Sequence, residues 1–169
     1  MQQTDIGLLF DHLYWVRDKI LAAADDPAMD WPGEAPLGLR GLRATLVHEL
    51  DTEWSWRRRL QARDRRDFPP DDVDLAPDDF EDVPAVRARW LEDEAEMRAW
   101  LARLTDADLA GPCGVERRGP GHPLWFHLLH VYSHGMQQLS DAAWMLSSQD
   151  GGSPGEIDFL EFVEARQAR

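Results

Sequence analysis

The sequence predicts an all-α protein: a four-helix bundle with a long crossover between its second and third helices and a short C-terminal helix. Three observations carry this. Four long segments repeat apolar residues at helical spacing, Pro- and Gly-rich breaks separate them, and no stretch shows the strict alternation of a half-buried strand. A length of 169 residues suits one domain spanning 1–169, large enough to bury a core without disulfides.

The first segment, "TDIGLLFDHLYWVRDKILAAA", lines up Ile6, Leu9, Phe10, Leu13, Val16 and Ile20, with Thr4 as the expected cap. The break "DDPAMDWPGEAPLG" cannot continue a helix. The second helix runs from Leu39 to Arg63 and shows two faces. Leu42, Leu46, Leu50, Trp54 and Leu60 form the apolar one; Gly41, Ala44, Thr45, Thr52 and Ser55 surround His48 on the other. Small neighbours leave space beside an imidazole, as in a pocket wall, and equally let another helix approach closely. "RDRRDFPPDDVDLAPDDFEDVP" then carries little periodicity and reads as the crossover. "PAVRARWLEDEAEMRAWLARL" is the third helix, with Pro84 near its start. The fourth spans Pro123 to Ser148, and "IDFLEFVEAR" is the terminal one.

Composition narrows the function. A formal charge of -14 repels phosphate backbones and anionic lipids, which speaks against nucleic-acid and membrane-surface partners. No apolar run reaches the length of a membrane span and no signal peptide opens the chain. A single cysteine, Cys113, excludes an internal disulfide and fits a reducing cytoplasm; it reads as incidental rather than as a reactive thiol. The basic run "WRRRLQARDRR" is expected to complement the carboxyl end of helix two and pair with the acidic crossover. The eight tryptophans read first as core, although Trp54, Trp56 and Trp125 flank histidine-bearing segments and suggest an apolar ligand pocket.

The chemistry concentrates in "LLHVYSHGMQQLSDAAWML". His127, His130, His134, Gln138 and Asp141 share one side of helix four. Histidines four apart can converge on one cation, the spacing of the zinc-protease helix, though no Glu occupies the second position here. His48 is placed to oppose them from helix two. The competing reading is a set of core histidines hydrogen-bonded to Trp, Asp or backbone.

"LVHELDTEWSWRRRL", this helix-four block and "GGSPGEIDFLEF" together resemble the DinB family of damage-inducible, YfiT-like proteins across nearly the whole chain. The resemblance implies helices arranged out of sequential order and a zinc or nickel ion on three histidines, one from helix two and two from helix four. Those positions fall on His48, His134 and Gln138, so glutamine stands where the family has its third histidine, and Leu139 where arginine commonly follows. His130 matches a position one turn earlier that is often histidine without being a ligand; it is the alternative third ligand here. An amide oxygen is a weaker donor to Zn²⁺ or Ni²⁺ than imidazole nitrogen.

The resemblance implies a metal-dependent transferase or hydrolase, with a low-molecular-weight thiol as the small-molecule substrate and the ion lowering the pKa of a bound thiol or water. A second reading is a stress-related binding or interaction module that kept the fold and lost the chemistry. A third is a homodimer joined through exposed tryptophans.

Overall fold

The computed structural model describes residues 1–33, 40–62, 74–113 and 121–168, and those residues are all-helical apart from turns and one isolated bridge. The helices are α1 (Gln3–Ala24), α2 (Leu42–Gln61), α3 (Val83–Leu101), α4 (Asp106–Ala110), α5 (Leu124–Ser147) and α6 (Phe159–Gln167). No helix among the described residues is long and apolar enough to cross a membrane.

The apolar stripes become the core. Ile6, Phe10, Leu13, Val16 and Ile20 of α1 are buried, with Leu9 half-buried at the edge of the stripe. Leu42, Leu46 and Leu50 of α2 meet Leu128, Val131, Leu139 and Leu146 of α5, while Val86, Trp90 and Met97 enter from α3. α5 packs against both α2 and α1, and α3 packs against the same two helices from the other side.

Side-chain pairs give the directions. Tyr14 bonds Glu53, Arg17 pairs with Glu94 and Asp11 with Arg98, so α1 runs against α2 and α3. Glu53 bonds Trp90 and Arg57 bonds Asp93, so α3 runs parallel to α2. Parallel neighbours need a connection that returns the chain to its starting end. Its described part does so: Leu75 N–H donates to Asp51 at 3.0 Å, and Asp78 pairs with Arg43 near the start of α2. The stretch 63–73 of the expected crossover lies outside the described residues, as does Arg63, the expected end of helix two.

Three boundaries differ from the sequence reading. Gln2, not Thr4, caps α1, because the Asp5 carboxylate reaches back to the Gln2 N–H at 2.8 Å and Asp106 accepts the Gln3 N–H at 2.7 Å. Helix three stops at Leu101 rather than Leu104. Thr105 then starts the short α4 by exchanging hydrogen bonds with Asp108, Asp108 N–H to the hydroxyl at 3.2 Å and Thr105 N–H to the carboxylate at 2.8 Å. Helix two starts at Leu42; residue 39 lies outside the described residues.

The C-terminal segment is tied to α1 by the buried His12. Its Nε2 sits 3.1 Å from the Ile157 carbonyl, which can only accept, so Nε2 carries the proton and Tyr132 donates its hydroxyl to Nδ1 at 3.0 Å. Phe159 and Phe162 of α6 close over the same imidazole.

Candidate functional site

α2 and α5 run antiparallel and bring His48 and His134 together. Their ring centroids lie 5.3 Å apart, with the planes inclined at 66°. Both imidazoles are half-buried. Burial lowers the pKa of each, and the positive Arg40 side chain lowers both further. The pair is therefore neutral at neutral pH, the state in which imidazole nitrogen offers a lone pair to a cation.

His134 is held from behind. Its Nδ1 lies 2.6 Å from Oε2 of Glu49, a carboxyl group with no solvent exposure at all. Burial pushes the Glu49 carboxyl well above the usual carboxylate range, so this contact holds a proton between oxygen and nitrogen. The other oxygen, Oε1, is buried without a hydrogen-bond partner. Gly135 makes the approach possible, since a Cβ there would stand 2.6 Å from Oε1 and 2.8 Å from Leu13 Cδ1.

Gln138 lies one turn beyond His134 on α5 and is buried. His130 lies one turn before it and is exposed, its ring edge-on to Trp56 at 5.1 Å and 6.4 Å from the His134 ring. His127 is buried beside Trp56 and Phe126, an aromatic packing role, and Asp141 is half-buried. Among the described residues no three His, Cys, Asp or Glu side chains converge as a metal-ligand set. Two imidazoles therefore meet here, with an amide the next donor along the same side of α5. Neutral nitrogen donors beside a buried carboxyl with an orphaned oxygen are compatible with a divalent ion that keeps open coordination positions.

One turn further along α2, Glu53 is also fully buried. Its carboxyl receives the Tyr14 hydroxyl on one oxygen and the Trp90 indole N–H on the other, at 2.9 Å. Burial pushes its pKa up to about 8, against the downward pull of those two hydrogen bonds. Beyond it Arg57 reaches Asp93 and Glu96 of α3. Among the described residues Arg57 thus pairs with α3, while Arg58 and Arg59 stand in the last turn of α2 as the basic run suggested. The arginines of that run from 63 onward, and the crossover at 63–73, lie outside the described residues. The i, i+4 rise of α2 sends Arg57 along the Glu49–Glu53 line to the carboxylates of α3.

Trp56 does flank the histidines, but Trp54 does not. Two residues on a helix differ by about 200°, and Trp54 turns to α3, where it lies under the guanidinium groups of Arg58 and Arg89. Trp125 is half-buried against Phe126. Of the eight tryptophans only Trp144 is exposed, at 52%. Cys113 is buried, consistent with an incidental cysteine. A groove of about 490 Å³ lies elsewhere, between α1, α3 and α6.

Reasoning from sequence missed Glu49 and Glu53. The available signal was the series Thr45, Glu49, Glu53, Arg57, spaced by four and directly adjoining the stripe Leu46, Leu50, Trp54. No protein-family model matches the sequence, and no curated protein matches it.

Proposed function

We propose that this chain is a DinB-like four-helix bundle that binds a divalent ion, zinc or nickel, through His48 and His134, with Gln138 as third donor, and that it transfers a low-molecular-weight thiol to an electrophile. The observation that carries the proposal is the meeting of two neutral imidazoles from α2 and α5 at 5.3 Å, one of them backed by a buried carboxyl group. A structural histidine pair has no need of a fully buried carboxyl with an unused oxygen, because an unpaired buried acceptor costs about 1–3 kcal/mol.

His48 and His134 would hold the ion, and Gln138 would complete a weak third position. Bound there, such an ion supplies Lewis acidity, which lowers the pKa of a thiol enough to make a nucleophile near neutral pH. The residues of the chain orient and desolvate. Trp56 stands beside the site, edge-on to His130. The acidic surface disfavours polyanionic substrates and leaves a small thiol free to enter.

One observation favours a second reading, a binding module that kept the fold and lost the chemistry: the third family histidine is Gln138, and no third ionisable ligand replaces it among the described residues. A panel of cellular thiols assayed against model electrophiles, with ion-loaded protein, separates the two. Transfer that requires added ion and collapses in His48→Ala and His134→Ala supports the transferase. Equal rates in wild type and both variants support the binding module.

A further inference from the structure

Glu49 lies next to His48 in sequence and touches His134 in space, so it links the two halves of the centre. Its contact with Nδ1 leaves His134 only Nε2 to offer to an ion shared with His48. The carboxyl group reaches this place only because residue 135 has no side chain. Every donor proposed for the ion is neutral, two imidazoles and one amide, so the orientation of each ring carries much of the binding, and Glu49 is what holds the His134 ring.

We infer that Glu49 is a positioning residue for this centre: by occupying Nδ1 it selects Nε2 of His134 as the donor atom and fixes the ring, with Gly135 as its cradle. The inference rests on the proposed ion site and adds to it a second requirement, located in side chains that do not themselves touch the ion. Partners of this kind on a ligating imidazole typically carry 10–100-fold in ion affinity. Gly135 pairs with Glu49 sterically, since a methyl group at 135 and the carboxyl group at 49 claim the same space.

The test is calorimetric titration of Zn²⁺ into metal-free wild type, Glu49→Ala, Glu49→Gln, Gly135→Ala and the double variant Glu49→Ala/Gly135→Ala, each checked for helicity and thermal unfolding. Glu49→Ala should weaken Zn²⁺ binding by about 10–100-fold. Glu49→Gln keeps an acceptor for the His134 Nδ1 proton, so its loss should be smaller. Gly135→Ala should weaken binding in the wild-type background and much less once Glu49 is alanine, when only the flexible Leu13 methyl remains to give way; a general loss of packing does not produce this dependence. In Zn²⁺-loaded protein, nitrogen NMR should find a proton on His134 Nδ1, shifted far downfield in wild type and not in Glu49→Ala. Affinities of both Glu49 variants within about twofold of wild type would overturn the inference while leaving the ion site intact. Absence of Zn²⁺ binding in wild type and in Gln138→His alike would remove the ion site itself, and the role of Glu49 with it.

Discussion

Two glutamates stand one turn apart on α2, both without solvent exposure, and they live differently. Glu53 has each oxygen matched to a donor, Tyr14 on one side and Trp90 on the other. Glu49 spends one oxygen on an imidazole that is itself only half-buried, and leaves the other unmatched. A buried acid with all its partners ties helices together. A buried acid with a spare oxygen beside a half-exposed histidine keeps an unmet demand, and such demands gather where a protein binds something. The contrast assigns Glu53 to stability and Glu49 to the site.

The largest expected effect is on the structural side. Glu53→Leu strands the Trp90 indole N–H and the Tyr14 hydroxyl in the core, and each unpaired buried donor costs about 1–3 kcal/mol. Denaturant unfolding should show a loss of about 2–5 kcal/mol. A loss below about 1 kcal/mol would mean that the Glu53 knot does not hold α1, α2 and α3 together.

Glu53→Gln sharpens the same point through pH. A raised folded-state pKa means that the unfolded chain gives up the proton first. The stability contributed by Glu53 is therefore full below about pH 4.5 and is lost as pH rises to about 8. Glutamine is neutral like the protonated acid: its carbonyl accepts from Trp90, and its amide donates to the Tyr14 oxygen once that hydroxyl turns its proton away. The variant should thus gain on wild type by up to roughly 1 kcal/mol per pH unit across that window. Parallel stability curves for the two proteins would show that Glu53 folds as a carboxylate.

On the site side, Gln138→His replaces an amide by imidazole and should tighten Zn²⁺ or Ni²⁺ binding by about tenfold or more in calorimetry. No gain would move the third position away from residue 138 and make His130 the better candidate. His130→Ala is the smallest effect: an exposed ring packed on Trp56 should change affinity by less than about threefold and stability by less than about 1 kcal/mol.

The contrast also marks what a sequence makes legible. Leu42, Leu46 and Leu50 announce their face because apolar residues at helical spacing have one place to go. Spacing pointed to His130 and His134 with His48 opposite them, and it was the resemblance that implied His48 and His134 as partners. Glu49 and Glu53 were not readable, since a glutamate on an amphipathic helix ordinarily faces water and only tertiary partners reveal the exception. The same holds for Arg57, whose carboxylate partners stand 36 residues away or more. The Thr105 cap was present in the letters, but a helix as short as Asp106–Ala110 has too little periodicity to stand out. For Gln138 the sequence supplied the departure from histidine, while burial and its place one turn from His134 came only with the fold.

The measurement that bears most directly on the central claim is titration of Zn²⁺ and Ni²⁺ into metal-free, untagged wild type, His48→Ala and His134→Ala. One ion per chain in wild type, and binding weakened by at least about a hundredfold in each variant with helicity unchanged, is the predicted result. Wild-type protein that binds neither ion, or alanine variants that bind as wild type does, would contradict it.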